Sequence, residues 1–172
     1  MALTLVATPG ATNANSYCTR AEADTYFEGS VYSTAWDAAS TAEKDKALVN
    51  ATRLLDELYT WHEWPSSPTQ ALQWPRIGLM DALYLSILAD TEIPPKLKEA
   101  TAELAQDVLE ADLNAELPQV QQGLTSMSAG PVSFGFKDTI TVSVIAKSVS
   151  TKIPKWWGCL RGGDLVRPVL RG

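Results

Sequence analysis

Residues that could perform catalysis or bind a metal ion are few in this chain. His62 is the only histidine, and it lies at the predicted end of a helix, where a capping or packing role is favoured. Cys18 and Cys159 match no metal-binding or redox spacing, so we expect free thiols in a reducing compartment. The sequence has no glycine-rich phosphate loop, and its Asp and Glu residues fall on the solvent faces of predicted helices. It therefore predicts a protein that is not an enzyme and binds no cofactor or metal.

The strongest candidate for a binding function is a basic, aromatic C-terminal region. Residues 137–172 carry seven Lys or Arg against two Asp, a net charge of +5, which leaves −11 for residues 1–136. A Trp pair among cations could anchor in a groove of another protein, bind single-stranded DNA, or fold back on its own body. The acidic body opposes DNA binding, so a protein partner is favoured. The candidate binding residues are Lys152, Lys155, Trp156, Trp157, Arg161 and Arg167.

The elements that must position this region begin with helices. Two capping boxes mark helix starts, Thr19 with Glu22 and Ser40 with Glu43. The first helix is predicted to end near Gly29, and the second to run for about five turns towards Pro65, with apolar residues at three- and four-residue steps. A short helix is predicted at 79–89. Another begins at Pro94-Pro95 and ends by Pro118.

After these helices the sequence pattern changes. A Gln-, Ser- and Gly-rich linker (119–131) precedes alternating apolar residues at 132–147, which predict a β-hairpin. A three-residue turn at 137–139 places both apolar rows on one face. Residues 148–172 have no clear period. The predicted fold is thus mainly α: a small helical bundle (1–118), the linker, the hairpin and an extended basic, aromatic arm.

Targeting segments are not expected. The N-terminal apolar run is too short for a secretory signal, and no run approaches the roughly 18 apolar residues that span a bilayer. The sequence therefore predicts no association with a membrane.

An ordered series of short motifs across residues 13–117 carries a family resemblance. They are Asn15-Ser16-Tyr17, Ala21-Glu22-Ala23-Asp24, Tyr26-Phe27, Trp36, Ala51-Thr52-Arg53-Leu54-Leu55-Asp56, Trp61, Gln70-Ala71-Leu72-Gln73-Trp74-Pro75-Arg76, Ile93-Pro94 and Ala100-Thr101-Ala102-Glu103-Leu104-Ala105. The chain resembles the tailed-phage head–tail connector (neck adaptor) family, some members of which carry a DnaT-like single-stranded-DNA-binding label. The QALQWPR segment with the following Ile-Pro is the most specific part.

The resemblance implies a structural role in the virion neck, after assembly in the host cytoplasm. It implies a helical-bundle subunit in a twelvefold ring under the portal protein, which extends the DNA channel and docks a tail or lower-neck protein. DNA passes without sequence-specific binding, and residues 148–172 reach the portal. Gln70, Trp74 and Arg76 are either a packed loop or a subunit contact, with Trp74 as anchor and Arg76 reaching a neighbour's carboxylate. The alternative function is a single-stranded-DNA-binding accessory protein of phage replication.

Overall fold

The computed structural model describes residues 3–111, 126–129, 132–135 and 145–161. Within those ranges the helices are α1 (Arg20–Phe27), α2 (Thr34–Ala38), α3 (Thr41–Leu58), α4 (Pro95–Glu110) and α5 (Lys147–Ser150). The strands are β1 (Tyr59–Trp61), β2 (Trp64–Pro65), β3 (Arg76–Ile77), β4 (Ser126–Ala129), β5 (Val132–Gly135) and β6 (Gly158–Leu160).

Both predicted capping boxes are confirmed, at the starts of α1 and α3. The hydroxyls of Thr19 and Ser40 accept from the backbone N–H three residues on, and the Glu side chains return to the cap N–H groups. Such caps satisfy backbone donors that a helix start otherwise leaves free, and each contributes about 1 kcal/mol. α4 starts with Pro95 in its first turn, where a missing N–H costs nothing.

The core begins at the packing of α3 against α4. Their facing stripes are fully buried and include Leu48, Leu55, Leu97 and Leu104. α1 and α2 pack beside α4, and each contributes a buried ring, Phe27 and Trp36, 5.1 Å apart between centroids. The apolar periodicity of the sequence therefore identified the helix faces that meet.

Three two-stranded antiparallel sheets lie in the described ranges. β1 pairs with β6, with Thr60 opposite Cys159, and β2 pairs with β3, with Trp64 opposite Ile77. β4 pairs with β5, with Ala129 opposite Val132. None of these strands exceeds four residues, so each sheet depends on its surroundings for stability.

The prediction of a mainly α helical bundle is wrong. Only α3 and α4 are long, and five of the seven buried aromatic rings in the described residues come from short strands and loops rather than from helices. Segment 59–94 contains several Pro and Gly residues, which interrupt helices, so it forms β1, β2, β3 and ordered turns. The fold is a small mixed one that combines a helix pair with an aromatic cluster.

The predicted short helix at 79–89 is also wrong. Residues 79–88 instead form a hairpin-like turn. An antiparallel bridge between Met80 and Ile87 closes it, together with a hydrogen bond of 2.8 Å from Leu88 N to Leu79 O. Tyr84 has a φ of 59°, which a helix cannot accommodate.

Two parts of the C-terminal prediction need correction. The strand at 132–135 pairs with 126–129, so a strand lies inside the predicted 119–131 linker; the expected turn at 137–139 and its second strand lie outside the described residues. The arm is not extended over its first part, because α5 and β6 fold back on the body. Ile145, Val149, Ile153 and Trp157 recur every fourth residue and are buried, which drives this return.

Candidate interaction surface

The C-terminal segment, residues 145–161, is held against the body by backbone pairing. β6 completes the edge of β1, and the backbone N–H of His62 donates to Trp157 O at 2.8 Å. The indole N–H of Trp157 donates to Met80 O at 2.7 Å. Trp157 is only 1% exposed. The segment therefore connects β1 to the turn at 79–88.

Trp157 belongs to a cluster of four aromatic rings. Tyr59 stacks on Trp61 at 5.0 Å, Trp61 meets Trp74 edge-on at 5.6 Å, and Trp74 meets Trp157 at 5.3 Å. Edge-on and stacked pairs of this kind add about 0.5–1.5 kcal/mol each beyond the burial of their area. Trp74, which precedes a cis Pro75, is thereby an interior residue of this chain.

Arg76, two residues after Trp74, is also buried. Its guanidinium donates to the carbonyl oxygens of His62 at 2.6 Å and Gln73 at 2.8 Å, and to that of Glu63. Burial lowers the pKa of Arg76, and the nearby Asp56 carboxylate opposes that effect. The fork of five donors fits several carbonyls at once, so Arg76 connects the end of the QALQWPR segment to the turn after β1.

Gln70 closes the start of that segment. Its side-chain oxygen accepts from Ser67 N at 3.0 Å, and its amide nitrogen donates to Leu72 O at 2.7 Å. Within one chain, Gln70, Trp74 and Arg76 thus behave as a packed loop, which is the first of the two interpretations made from the sequence. Their contact with a neighbouring subunit stays a prediction.

The Asp56 side chain connects three separate parts of the chain in this interior. It accepts from Tyr17 Oη at 2.5 Å, from Trp61 Nε1 at 3.0 Å and from Gln73 N at 3.3 Å. Burial raises the pKa of Asp56, and these three donors oppose the rise. The Asp56 carboxylate is therefore occupied in holding these parts of the fold together.

The turn at 79–88, which we call the finger, presents apolar side chains to solvent. Leu83, Tyr84, Leu85 and Ile87 are between 61% and 77% exposed. Asp81 orders the turn, because its carboxylate accepts from Leu85 N at 2.7 Å and from Ser86 Oγ at 3.0 Å. Those bonds lower the pKa of Asp81, the one from Leu85 N most. The finger is thus an ordered apolar projection.

Trp156 extends the finger surface sideways. Its ring meets that of Tyr84 edge-on at 5.3 Å, and its indole N–H donates to Asp81 O at 3.1 Å. Trp156 is 37% exposed, and the neighbouring Lys155 is exposed and forms no ion pair with any described residue. Trp64, on the adjacent β2–β3 sheet, is a third exposed ring.

The predicted arm residues fall into three groups. Lys155, Trp156 and Arg161 have exposed side chains. Lys152 and Trp157 hold the segment to the body; Lys152 Nζ lies 3.7 Å from both Glu99 and Glu103 on α4 and 5.2 Å from the centre of the Tyr26 ring. Arg167 lies outside the described residues. The structure therefore separates groups that the sequence placed in one binding arm.

The finger itself was missed by sequence reasoning. Its apolar residues suggested a helix, and only the contacts of Asp81 and the positive φ of Tyr84 reveal a turn. A weak signal was present: Asp81 and Ser86 flank the apolar run, and short polar side chains favour turns. Exposure of four apolar residues cannot be read from their types.

Among the described residues, no group of three or more His, Cys, Asp or Glu is arranged to hold a metal ion. No helix in the described part of the chain has the length and apolar character to cross a bilayer.

Most of the chain matches a known protein family. Residues 1–163 match the model of a family described as putative DnaT-like ssDNA binding protein. The chain belongs to this family. No curated protein and no solved structure matches it. The match confirms the DnaT-like part of the resemblance expected from the sequence, and it gives no support to the head–tail connector part.

The extent of the family match bears on the C-terminal segment. The expected resemblance covered residues 13–117, whereas the family match continues to residue 163. It therefore includes Trp156, Trp157 and β6, together with the α3–α4 helix pair and the finger. The fold and the candidate surface lie within one family unit.

Proposed function

We propose that this protein is a non-enzymatic assembly subunit, and that its place is the neck of a tailed phage, as a ring-forming head-to-tail adaptor. The observation that carries the proposal is the finger, with four exposed apolar side chains on an ordered turn. The proposed partners are further copies of this chain, the portal protein, and a tail or lower-neck protein. DNA passes through the channel without sequence-specific binding.

The chemistry of the finger favours a protein partner. Leu83, Leu85 and Ile87 are aliphatic, and they gain most from burial against another apolar surface. Because Asp81 already orders the turn, little conformational entropy remains to be lost on docking. Nucleic acid has few surfaces that suit aliphatic side chains, whereas a protein groove suits them well.

The charge distribution supports the same proposal. The whole chain carries −6, and its excess of carboxylates lies in the body rather than in the C-terminal region. An acidic body repels a phosphate backbone, which fits a channel through which DNA slides.

A second candidate function is single-stranded-DNA binding, and two observations favour it. The family description names that activity. In addition, Trp64, Tyr84 and Trp156 expose rings, and Lys155 adds a cation that is not paired among the described residues. Exposed rings with adjacent cations are what single-stranded-DNA platforms use.

Two variants of the full chain separate the candidates. The Leu83→Ser/Leu85→Ser variant loses most of the aliphatic surface of the finger and keeps the Lys155 cation. The Lys155→Gln variant loses the cation and keeps the aliphatic surface. Leu3→Ser and Lys46→Gln, at exposed positions on other parts of the body, are the matched controls. All changes are at exposed side chains, so the fold is retained.

Each variant is tested for co-sedimentation with the portal protein of the same phage and for binding of a labelled oligothymidine at roughly 50 and 200 mM salt. If the protein is an adaptor, the wild type is expected to sediment with portal. Of the variants, only Leu83→Ser/Leu85→Ser is expected to lose portal binding. Tight oligonucleotide binding that weakens steeply with salt and is lost in Lys155→Gln, with no portal binding, overturns the adaptor in favour of the second candidate.

A further inference from the structure

A second exposed apolar site lies between α1 and α2. Val31 is 90% exposed and Tyr32 is 83% exposed, in a short connection that faces solvent. Two adjacent apolar side chains at such exposure are unusual outside an interface. We call Val31 and Tyr32, with the α4 carboxylates beside them, the knuckle.

The end of α4 places the Glu110 carboxylate close to Tyr32. The side-chain amide nitrogen of Gln106 donates to Tyr32 O at 2.6 Å and lies 3.4 Å from Glu110 Oε1. Asp107 follows Gln106 on the same helix end. Neither Asp107 nor Glu110 forms an ion pair with any described residue. The knuckle is thus apolar and negatively charged.

Repulsion within this acidic group is uncompensated. Burial, with the charges of Glu103 and Glu110, raises the pKa of Asp107 to about 6. Glu103 has a cation close by, since Lys152 Nζ is 3.7 Å away, but that cation does not offset the effect at Asp107. A further cation beside Asp107 and Glu110 is therefore favourable.

The finger has the complementary composition. It offers Leu83, Leu85 and Ile87 with the rings of Tyr84 and Trp156, and Lys155 lies next to Trp156. The one carboxylate in the finger, Asp81, is engaged by Leu85 N and Ser86 Oγ within the turn. The finger surface is thus apolar with an available positive charge.

We propose that the finger of one copy docks on the knuckle of the next copy, with Lys155 meeting Asp107 and Glu110. The contact deepens the proposed function, on which it rests, by naming the surfaces through which subunits join. Since the two surfaces differ, the contact is heterologous: an open chain of copies keeps one free finger at one end and one free knuckle at the other, and copies add until a ring closes.

The alternative is an isologous contact in which two fingers meet each other. That arrangement leaves the knuckle without a role, and it brings the two Lys155 charges towards each other, which is unfavourable. A head-to-tail contact buries both apolar sites and pairs opposite charges. Charge complementarity therefore favours the knuckle of a second copy as the surface that the finger contacts.

Mixing two defective chains tests the direction of the contact. The finger variant is Leu83→Ser/Leu85→Ser, and the knuckle variant is Val31→Ser/Tyr32→Ser; thermal unfolding checks that both keep the fold. Sedimentation velocity is run on each full chain alone, on their equimolar mixture, and on the same samples with portal present. The wild type is expected to form species larger than dimers, in free solution or on the portal.

Each variant alone is expected to be monomeric. Their mixture is expected to stop at a heterodimer. The intact finger of the knuckle variant meets the intact knuckle of the finger variant, and the two surfaces that stay free are both defective. A knuckle variant that associates like the wild type overturns the inference, as does a mixture that stays monomeric. If the wild type still sediments with portal in those cases, the proposed function stands; if it binds no portal, the proposed function fails as well.

Charge reversal gives an independent readout. Lys155→Glu and Glu110→Lys are each expected to weaken self-association roughly tenfold, and the two together in one chain to restore it to within about threefold. Lys46→Glu makes the same charge change at an exposed position on α3, and it is expected to leave association unchanged. Double reversal that is weaker than either single change overturns the Lys155–Glu110 pairing.

Discussion

Trp156 and Trp157 are adjacent in the chain, yet they belong to two regions with opposite roles. Trp157 enters the aromatic cluster with Trp74 and Trp61, and it is 1% exposed. Trp156 turns outward to Tyr84 on the finger and is 37% exposed. Residues 155–157 form a turn, in which Trp157 N donates to Pro154 O at 2.9 Å, and this turn directs the two adjacent rings to different surroundings.

The difference shows how one segment serves both stability and recognition. On the inner side, Val149, Ile153 and Trp157 stabilise the folded state because their apolar side chains are removed from water. Outside, Lys155 and Trp156 remain available to a partner because the interior residues hold them in place. Changes on the inner side should therefore lower stability, and changes on the outer side should lower binding alone.

The largest expected effect is at the Trp pair itself. Trp157→Ala removes a fully buried ring and its bond to Met80 O, and we expect a loss of about 3–5 kcal/mol in the free energy of unfolding. Trp156→Ala should cost less than about 1 kcal/mol. Urea denaturation followed by circular dichroism measures both; equal losses contradict the division into two regions.

A smaller loss is expected at Gly158, where β6 meets β1. A Cβ added there lies 2.8 Å from Thr60 O and 2.9 Å from Trp61 Cε3, so Gly158→Ala forces the strands apart and should cost about 1–3 kcal/mol. Gly29→Ala is the control, because a Cβ at Gly29 meets nothing within 4 Å. Increased hydrogen exchange at the amides of His62 and Arg161 in the Gly158 variant alone reports the loosened segment.

The next prediction concerns the stability contributed by Asp107, at the carboxylate-rich end of α4. Because Asp107 has a folded-state pKa raised from 3.8 to about 6, its protonated form favours the fold; that stability is present below pH 4 and is lost as the pH rises through 6. Asp107→Asn should therefore raise the free energy of unfolding at pH 7.5 by about 1 kcal/mol, after discounting for solvent around a half-exposed group.

At a pH of about 4, Asp107→Asn and the wild type should be equally stable. Melting temperatures across this pH range, measured in the monomeric finger variant so that association does not contribute, provide the comparison. A stabilisation that persists unchanged at low pH means that the carboxylate charge is not its cause.

The smallest expected effect separates two lysines of the C-terminal segment. Lys152 is half-buried beside Glu99 and Glu103, so Lys152→Gln should cost about 0.5–1 kcal/mol, and the loss should shrink in high salt. Lys155→Gln should leave stability unchanged, because Lys155 has no ion partner among the described residues. Thermal unfolding at low and high salt measures both; a larger loss at Lys155 reverses the assignment of inner and outer sides.

Local patterns in the sequence predicted where α1, α3 and α4 begin. Thr19 and Ser40 begin α1 and α3 because a hydroxyl and a Glu three residues on satisfy neighbouring donors, which requires no distant contact. Pro95 begins α4 for a similarly local reason. The apolar stripes of α3 and α4 then identified the faces that pack together.

Contacts between distant residues were not predictable in the same way. Ile145, Val149, Ile153 and Trp157 do recur every fourth residue, but Pro154 and Gly158 obscured that period, and the segment was interpreted as an extended arm. Nor does any local rule assign Arg76 to three carbonyl oxygens, two of which lie 13 and 14 residues away. Its type alone is equally typical of a surface cation.

Residue types and spacing thus determined where helices begin, which of their faces are apolar, and that the C-terminal region is basic and aromatic. The tertiary structure decided which Trp is interior and which is exposed, and that residues 79–88 project as a finger. The physical reason is that capping and periodicity act within one or two turns of chain, whereas burial depends on which distant surfaces meet. For Trp156 and Trp157, that meeting is the pairing of β6 with β1.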